Sequence, residues 1–368
     1  MMKKALITGS EGFVGKYLRA ELTANGYDVT GLDLVPGEKT VAVNLLEPEA
    51  VETLLKELQP EVIFHLAGQA NVGLSWKIPA KTMEINIVAA VNLMEAARKY
   101  CPGCSMVLVG SSDEYGNLRE KGSSVSEETE MNPGTPYAIS KIAQEQMGKA
   151  YAKAYGMRIC MTRSFNHGGA GQKPGFMIPD FASGIVKVER GEADAVCVGN
   201  LTSRRDFTHV KDVVRAYRLI AEKGQPGEIY NVGSGKTCSA QEVLDRLIGM
   251  AKCPVTVRQD PARMRPSDTP VICCDHSKLT KDTGWEPEHN LQEIVEDTLE
   301  YYRAIQNSEF RINGYDLLAR DVPANEMFTS AEEISPRGCT CSLGRNDIVY
   351  VRVFGTEQGE SSKWEIIQ

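Results

Sequence analysis

The stretch ITGSEGFVG, residues 7–15, decides the fold of this 368-residue chain. It places Gly9, Gly12 and Gly15 directly after a short apolar run and directly before a helical pattern. Glycines at this spacing allow a tight turn and let the backbone come close to a phosphate. The free amides at the N-terminus of the following helix can then bind that phosphate. The stretch therefore predicts a strand, a dinucleotide-binding loop that includes Phe13 and Val14, and a helix. A plain strand-to-helix turn is the alternative.

The alternation of short β-branched runs with longer helical stretches continues to about residue 165. The strand candidates are KALITG, DVTGLD, TVAVN, VIFHLAG, MVLVGS and RICMTRS. This rhythm predicts an α/β fold with a parallel sheet covered by helices on both faces, the doubly wound Rossmann type, over residues 1–165. The loop-rich residues 166–306 suit a smaller α/β substrate domain, with some later segments returning to the first domain. Residues 307–368 form a C-terminal extension without an assigned role, in which DIVYVRVFG is the only clear strand.

The composition argues against several classes of function. The net charge is −8 with both signs interspersed, which argues against nucleic-acid binding. No window approaches the roughly 20 apolar residues of a membrane span, and the first apolar run is too short for a signal peptide. We therefore expect a cytoplasmic protein without a membrane partner. The ten cysteines are scattered, and the pair Cys101 and Cys104 lacks a second pair at zinc spacing, so we expect reduced thiols and no metal.

Asp33 ends the second predicted strand, about 20 residues beyond the glycine loop, where an acid can accept hydrogen bonds from an adenosine ribose. It favours NAD(H) slightly over NADP(H), although Lys39 could receive a 2′-phosphate and Asp33 could be a simple cap. Asn44 could pair with an adenine edge or cap the following helix.

PYAISK places Tyr137 and Lys141 four residues apart, a spacing that puts both side chains on one helix face. An ammonium beside a phenol stabilises the phenolate, so we expect Lys141 to lower the pKa of Tyr137. The tyrosine could then exchange a proton with a carbonyl–alcohol couple. The same pattern also occurs by chance on exposed helices.

The motifs TGSEGFVG, HLAGQANVGLSW, GSSDEYG, PYAISK, SFNHGGAGQ, RRDFTHVKDVV and YNVGSG occur in this order over about residues 3–305. Together they resemble the extended short-chain dehydrogenase/reductases that act on nucleotide sugars. The resemblance implies a catalytic triad of Ser or Thr, Tyr and Lys, and hydride transfer between a nicotinamide and a sugar carbon. It also implies further cofactor contacts, which would come from Leu45, Leu66, Ala67, Gly68 and His167.

Within that family the GDP-sugar members are the most similar, because of DPARMRPSD, TGWEPE and GNLTSRRDFTHVKDVVRAY. Aligned on Tyr115, GSSDEYG places Ser111 at the catalytic hydroxyl and Asp113 where mannose dehydratases carry the glutamate that assists loss of water. We therefore expect reduction of GDP-4-keto-6-deoxy-D-mannose at C4. Dehydration of GDP-mannose, with Asp113 as an acid or base, and C4 epimerisation of another nucleotide sugar are the alternatives.

The resemblance also implies residues that bind a GDP-hexose. Two arginines would bind the diphosphate, an aspartate a ribose hydroxyl, and the others the hexose or the guanine: Arg205, Arg265, Asp268, Gln69, Asn71, Asn166, Asn200 and Leu201. Solvated charges, simple turns and, for His167, a buried and satisfied histidine are the alternative interpretations. Family members usually dimerise through a four-helix bundle, so a homodimer is expected from NIVAAVNLMEAARKY and the helix that carries Tyr137.

Overall fold

The computed structural model describes residues 2–116, 124–263 and 271–307, and beyond these the backbone of short strands within residues 311–367. Residues 1–305 and 306–368 form two compact units. Among the described residues, no helix has the length and apolar character needed to cross a membrane.

The described strands of the first unit are β1 Lys3–Thr8, β2 Tyr27–Asp33, β3 Thr40–Ala42, β4 Val62–His65, β5 Ser105–Ser111, β6 Ser124–Val125, β7 Arg158–Ser164, β8 Asn166–Gly168, β9 Val196–Val198, β10 Arg204–His209, β11 Ile229–Val232, β12 Thr237–Ser239, β13 Val257–Gln259 and β14 Val271–Cys274. All six strands predicted from the sequence are present.

The helices begin and end as follows: α1 Phe13–Ala24, α2 Pro48–Leu58, α3 Val72–Lys77, α4 Pro79–Met83, α5 Ala89–Tyr100, α6 Pro136–Tyr155, α7 Met177–Glu189, α8 Val210–Lys223, α9 Ala240–Gly249, α10 Ser277–Thr283 and α11 Leu291–Asn307. A π-helical turn, Glu84–Val88, joins α4 to α5. A short 3-10 helix, Ser112–Tyr115, follows β5.

Seven parallel strands form the main sheet in the order β11-β7-β5-β4-β1-β2-β3. Helices α2, α5 and α6 contribute to the apolar core on one face, and α1, α8 and α10 to the core on the other. This is the predicted doubly wound α/β fold. The strand order reverses between β1 and β4, and in such sheets a ligand binds beyond the carboxyl ends of the strands at that point.

The chain after residue 165 builds a smaller layer beside the sheet and also returns to it. Strands β12, β10, β14 and β6 form a second sheet, in which β8 also pairs with β10. A third apolar core lies among α7, β9, α9 and α11. In contrast, β11 adds an edge strand to the main sheet.

In the second unit, Val349–Val353 is the middle strand of an antiparallel three-stranded sheet, between Ser342–Leu343 and Lys363–Ile367. The strand within DIVYVRVFG is thus present. Arg311–Ile312 and Tyr315–Asp316 form a separate antiparallel pair, so the tail contains strands that its sequence did not indicate.

Candidate active site

The glycine loop between β1 and α1 is a tight cradle. Gly9 has a φ of +70°, and a Cβ there would lie 2.9 Å from the Ala67 nitrogen. A Cβ on Gly15 would lie 2.4 Å from the Gly9 carbonyl oxygen, so both positions require glycine. Gly12 is the N-cap of α1 and provides no side-chain cap, so the first amides of the helix can bind an anion. The loop therefore fits a dinucleotide pyrophosphate.

The residues around Asp33 form a network of fixed charges. Asp33 Oδ1 accepts a hydrogen bond from the Leu34 amide at 2.8 Å, and Oδ2 accepts one from the Glu11 amide at 3.0 Å. Arg19 donates to Glu11 Oε1 at 3.1 Å and to Thr40 Oγ1 at 2.6 Å. The carboxylate of Asp33 is thus held at the end of β2, while the guanidinium of Arg19 is engaged by protein groups.

Asn44 and Leu45 lie in the loop between β3 and α2. Asn44 Oδ1 accepts from the Leu46 amide at 3.1 Å, and its Nδ2 donates to Glu47 Oε1 at 3.3 Å. The N-cap of α2 is Glu47, and no side chain caps this helix, so the bonds of Asn44 belong to a local turn before α2 and the capping alternative is wrong. The Leu45 side chain is buried in the apolar core.

The segment after β4 approaches the helix that carries the catalytic candidates. A Cβ on Gly68 would lie 2.9 Å from Asn86 Oδ1 and 3.6 Å from Lys141 Nζ. Leu66 and Ala67 are partly buried and pack against the two cores of the sheet. Of these three predicted cofactor residues, Gly68 therefore lies close to Lys141 of α6.

Gln69 and Asn71 form a small polar network of their own. The Gln69 amide group bonds to the Asn71 backbone in both directions, and Asn71 Oδ1 caps α3 by accepting from the Leu74 amide at 2.9 Å. Buried Asn86 fixes this loop, because its Oδ1 accepts from the Gln69 amide at 2.7 Å and its Nδ2 donates to Ser140 Oγ at 2.9 Å. Sequence reasoning missed Asn86; its signal was an amide within an otherwise apolar helical stretch.

The catalytic candidates Ser111, Tyr137 and Lys141 come together at the carboxyl end of β5. Tyr137 and Lys141 are buried on one face of α6, which begins after the capping side chain of Thr135. Ser111 lies close enough to Tyr137 for its side chain to lower the pKa of the Tyr137 phenol. Lys141 Nζ donates to the Val109 carbonyl at 2.9 Å. Two elements distant in sequence thus bring the three side chains together.

Burial governs the protonation of this group. It raises the pKa of Tyr137 above its ordinary value, with the charge of Asp113 acting in the same direction and the hydrogen bond from Ser111 opposing both. Burial also lowers the pKa of Lys141 to about 8, against the opposing charge of Glu114. The sequence-based expectation of a lowered pKa for Tyr137 is therefore wrong for this structure, because loss of hydration dominates.

The two acids of the octapeptide GSSDEYGN lie in opposite environments. Asp113 is exposed, whereas Glu114 is fully buried. Because the charge of Asp113 acts on Tyr137, Asp113 is the acid at the solvent side of the catalytic group.

Asn166 and His167 follow β7, and they lie in β8. The His167 ring stacks on Phe13 with centroids 6.3 Å apart, and its Nδ1 contacts the Phe165 carbonyl at 3.0 Å. Burial lowers the pKa of His167, so the ring is neutral at pH 7. His167 thus lies beside the start of α1, where Val14 packs against the core.

The candidates for the sugar nucleotide lie on β10 and the loop before it. The pairing of β8 with β10 places Asn166 opposite Phe207, on the strand that also carries Arg205. Asn200 Oδ1 accepts from the Thr202 amide at 2.9 Å within a turn, and Leu201 packs partly into the third core. Arg265 and Asp268 lie outside the described residues. Within the described ranges there is no cluster of three or more side chains suited to a metal ion.

Comparison with known proteins identifies the chemistry of similar sites. The family model described as GDP-mannose 4,6 dehydratase matches residues 6–298. GDP-6-deoxy-D-mannose reductase of Pseudomonas aeruginosa is 35% identical over 296 residues, which cover 80% of this chain and 95% of the relative. GDP-mannose 4,6-dehydratase of Yersinia enterocolitica is 26% identical over 377 residues, which cover 86% and 98%. The structure of RMD from Pseudomonas aeruginosa complexed with NADPH superposes with a TM-score of 0.76 at 32% identity, covering 83% of this chain and all of that one.

Proposed function

This chain belongs to the GDP-mannose 4,6-dehydratase family, and we propose that it is an NAD(P)-dependent oxidoreductase that reduces the C4 carbonyl of GDP-4-keto-6-deoxy-D-mannose. One observation carries the choice of reaction. Buried Tyr137, whose pKa is raised, keeps its proton beside Ser111, at a site where the acid two residues after Ser111 is an aspartate. Such a site is equipped to donate a proton.

Residues of this chain supply the proton that the reduction of the carbonyl requires. NAD(P)H, when bound, supplies the hydride that C4 receives. Ser111 donates a hydrogen bond to the C4 carbonyl oxygen, and Tyr137 gives its proton to the same oxygen as the alcohol forms. Lys141 retains most of its charge at pH 7 and stabilises the phenolate that remains.

Dehydration of GDP-mannose is the second candidate. It is supported by the matching family model and by the exposed position of Asp113 near Tyr137. Loss of water across C5 and C6 requires an acid or base that reaches the hexose, and Asp113 is one methylene shorter than glutamate. The shorter reach favours reduction.

Two incubations of the purified protein test the choice. With GDP-4-keto-6-deoxy-D-mannose and reduced cofactor, we expect oxidation of the cofactor and formation of a GDP-6-deoxyhexose. With GDP-mannose alone, we expect no product. A 4-keto sugar formed from GDP-mannose without added cofactor would contradict the reductase assignment and support the dehydratase.

For the cofactor we propose a preference for NAD(H), which rests on the negative charge at the end of β2. A 2′-phosphate there would meet the carboxylate of Asp33, and the nearby carboxylate of Glu11 already engages Arg19. Lys39, with a φ of +55°, is exposed at the turn before β3.

We propose that residues 166–306 mainly bind the substrate. Arg205, with Arg265, would bind the diphosphate because guanidinium groups bond bidentately to phosphate. Asp268 would accept a ribose hydroxyl, Asn200 and Leu201 would lie along the guanine, and the hexose would lie near the polar side chains Gln69, Asn71 and Asn166. The position of β10 beside β8 supports this arrangement, since it places Arg205 and Asn166 on neighbouring strands.

We also propose a homodimer formed through α5 and α6 in a four-helix bundle. The two helices pack together, with Arg98 of α5 over the ring of Tyr155 of α6 at 4.9 Å. Ile139 on α6 and Val88 before α5 expose 47% and 46% of their surfaces, which gives the pair apolar area to bury. A cytoplasmic location suits the eight described cysteines, which are free thiols.

A further inference from the structure

A buried cluster of three charged side chains lies directly behind Ser111. Glu114, Glu145 and Arg163 expose 0%, 2% and 2% of their surfaces. They come from the 3-10 helix after β5, from α6 and from β7. Charged groups are rarely buried to this extent unless each has a partner.

The hydrogen bonds pair Arg163 with only one of the two acids. Arg163 Nε donates to Glu145 Oε2 at 2.8 Å, and Nη2 donates to Oε1 at 3.0 Å, which is a bidentate ion pair. Glu114 Oε2 lies 3.6 Å from Arg163 Nε, beyond hydrogen-bond distance, and has no hydrogen-bond partner among the described residues. One guanidinium thus faces two carboxyl groups, and Glu145 already neutralises it.

Two lysines lie near the cluster, and each pairs with a group other than Glu114. Lys141 of α6 acts on it through space, but Lys141 Nζ donates to the Val109 carbonyl and to Gln144. Lys149 Nζ lies 3.5 Å from Glu145 Oε1, so its charge acts beside Glu145. The other titratable groups around the cluster are neutral or negative: Tyr115, Tyr137, Asp113 and Glu127. Burial and the charge of Glu145 raise the pKa of Glu114 well above its usual range, with the Ser111 amide and Arg163 opposing.

The other oxygen of Glu114 holds the catalytic serine. Glu114 Oε1 accepts the Ser111 amide at 2.8 Å, while Ser111 Oγ accepts the Asp113 amide at 3.2 Å. A Cβ at position 110 would lie 2.5 Å from Glu114 Oε1 and 2.3 Å from the Thr162 carbonyl oxygen, so Gly110 makes room for this contact. The hydrogen bond from the Ser111 amide to Glu114 thus fixes the backbone that carries the Ser111 hydroxyl.

We propose that Glu114 is a positioning residue that remains a neutral carboxylic acid during catalysis and orients Ser111 through its backbone amide, while Glu145 forms the ion pair with Arg163. This inference rests on the proposed function, in which Ser111 polarises the substrate carbonyl. The neutral acid avoids a second negative charge behind Tyr137, where it would oppose formation of the phenolate.

Glu114→Gln and Glu114→Met test the role in catalysis. Glutamine has the shape of the neutral acid and keeps an oxygen for the Ser111 amide, whereas methionine fills the space without an acceptor. We expect Glu114→Met to lower kcat about tenfold, the cost of one hydrogen bond that orients a reacting group, with KM unchanged. Glu114→Gln should recover kcat to within about threefold of the wild type. If glutamine is as damaging as methionine, a carboxylate is needed and the proposal is wrong.

The pH dependence of unfolding tests the proton without any assay of activity. Because the folded-state pKa of Glu114 is raised, the folded chain holds one more proton than the unfolded chain above the ordinary glutamate pKa, and stability falls as pH rises. In urea unfolding between about pH 5 and pH 8, Glu114→Gln should lack this fall, whereas the exposed control Glu57→Gln should retain it. If Glu145→Gln removes the fall and Glu114→Gln retains it, Glu145 carries the proton and the assignment is overturned.

The activity assay and the unfolding measurement distinguish a failure of this inference from a failure of the proposed function. If the wild type fails to reduce GDP-4-keto-6-deoxy-D-mannose while the unfolding difference is present, the neutral acid stands and the reaction assignment fails. If the wild type is active and the unfolding difference is absent, the reaction assignment stands and the neutral acid is refuted.

Discussion

Replacement of Asp33 by asparagine should weaken the preference for NADH over NADPH. The substitution keeps the size of the side chain and an oxygen that can accept from a ribose hydroxyl, but removes the negative charge at the end of β2. Asp33 is partly buried and its two oxygens are fixed by the Leu34 and Glu11 amides, so its position changes little when a cofactor binds.

The magnitude follows from the repulsion between the carboxylate and a 2′-phosphate. Two unit charges about 4 Å apart interact by about 1 kcal/mol in water and about 4 kcal/mol at a protein surface. A phosphate monoester carries between about 1.5 and 2 charges at pH 7. Since Asp33 is partly solvated, we take about 3 kcal/mol for the repulsion between its carboxylate and the 2′-phosphate. This energy corresponds to a preference for NADH over NADPH of roughly 100-fold. The Asp33→Asn variant should lose most of this factor.

The assay is kcat/KM for NADH and for NADPH at a fixed, saturating concentration of GDP-4-keto-6-deoxy-D-mannose. Asp28→Asn is the matched control, because it removes an equal charge from an exposed site at the other end of β2 and should leave the ratio unchanged. A wild type that prefers NADPH, or an Asp33→Asn variant with an unchanged ratio, would refute the electrostatic reasoning.

Four further predictions test the site, the loop and the assembly. Tyr137→Phe should lower kcat by about 10²- to 10⁴-fold while cofactor binding is retained; equal turnover would exclude Tyr137 as the proton donor. Gly15→Ala should abolish cofactor binding in a fluorescence titration, because its Cβ would lie 2.4 Å from a loop carbonyl oxygen; normal affinity would show that the loop does not hold the pyrophosphate. Since burial lowers the pKa of Lys141 to about 8, the folded chain binds fewer protons than the unfolded chain, and stability should rise with pH from about 8 until the unfolded lysine deprotonates. This rise should be absent from urea unfolding of Lys141→Met. Ile139→Glu should convert the dimer to a monomer in light scattering, and an unchanged mass would contradict the proposed interface.

The sequence was sufficient for the fold because its local signals agree with one another. The glycine loop, the buried strands and the alternating helices all favour a parallel sheet with helices on both faces. The approach of Gly9 to Ala67, which lies beyond β4, follows from this topology. The spacing of Tyr137 and Lys141 was equally readable, because four residues on a helix fix a common face.

Features that depend on contacts between distant residues could not be read from the sequence. The position of Asn86, which connects the Gln69 loop to Ser140, depends on how the π-helical turn packs against α6. The protonation of Tyr137 depends on burial, which the YxxxK spacing does not report. For Asn44, both a cofactor contact and a helix cap satisfied the pattern, and the structure shows a local hydrogen bond from the Leu46 amide and no side-chain cap on α2.

The two adjacent acids of GSSDEYGN show how one short turn divides catalytic from supporting roles. The 3-10 helix Ser112–Tyr115 directs Asp113 to solvent and Glu114 into the protein. A reduction at C4 consumes a proton, so the groups behind the carbonyl must be able to hold protons rather than carry fixed negative charge. Burial meets this requirement for Tyr137 and Glu114 alike, since loss of hydration disfavours the charged form of both. The charge of exposed Asp113 also raises the pKa of Tyr137, so it acts in the same direction as burial.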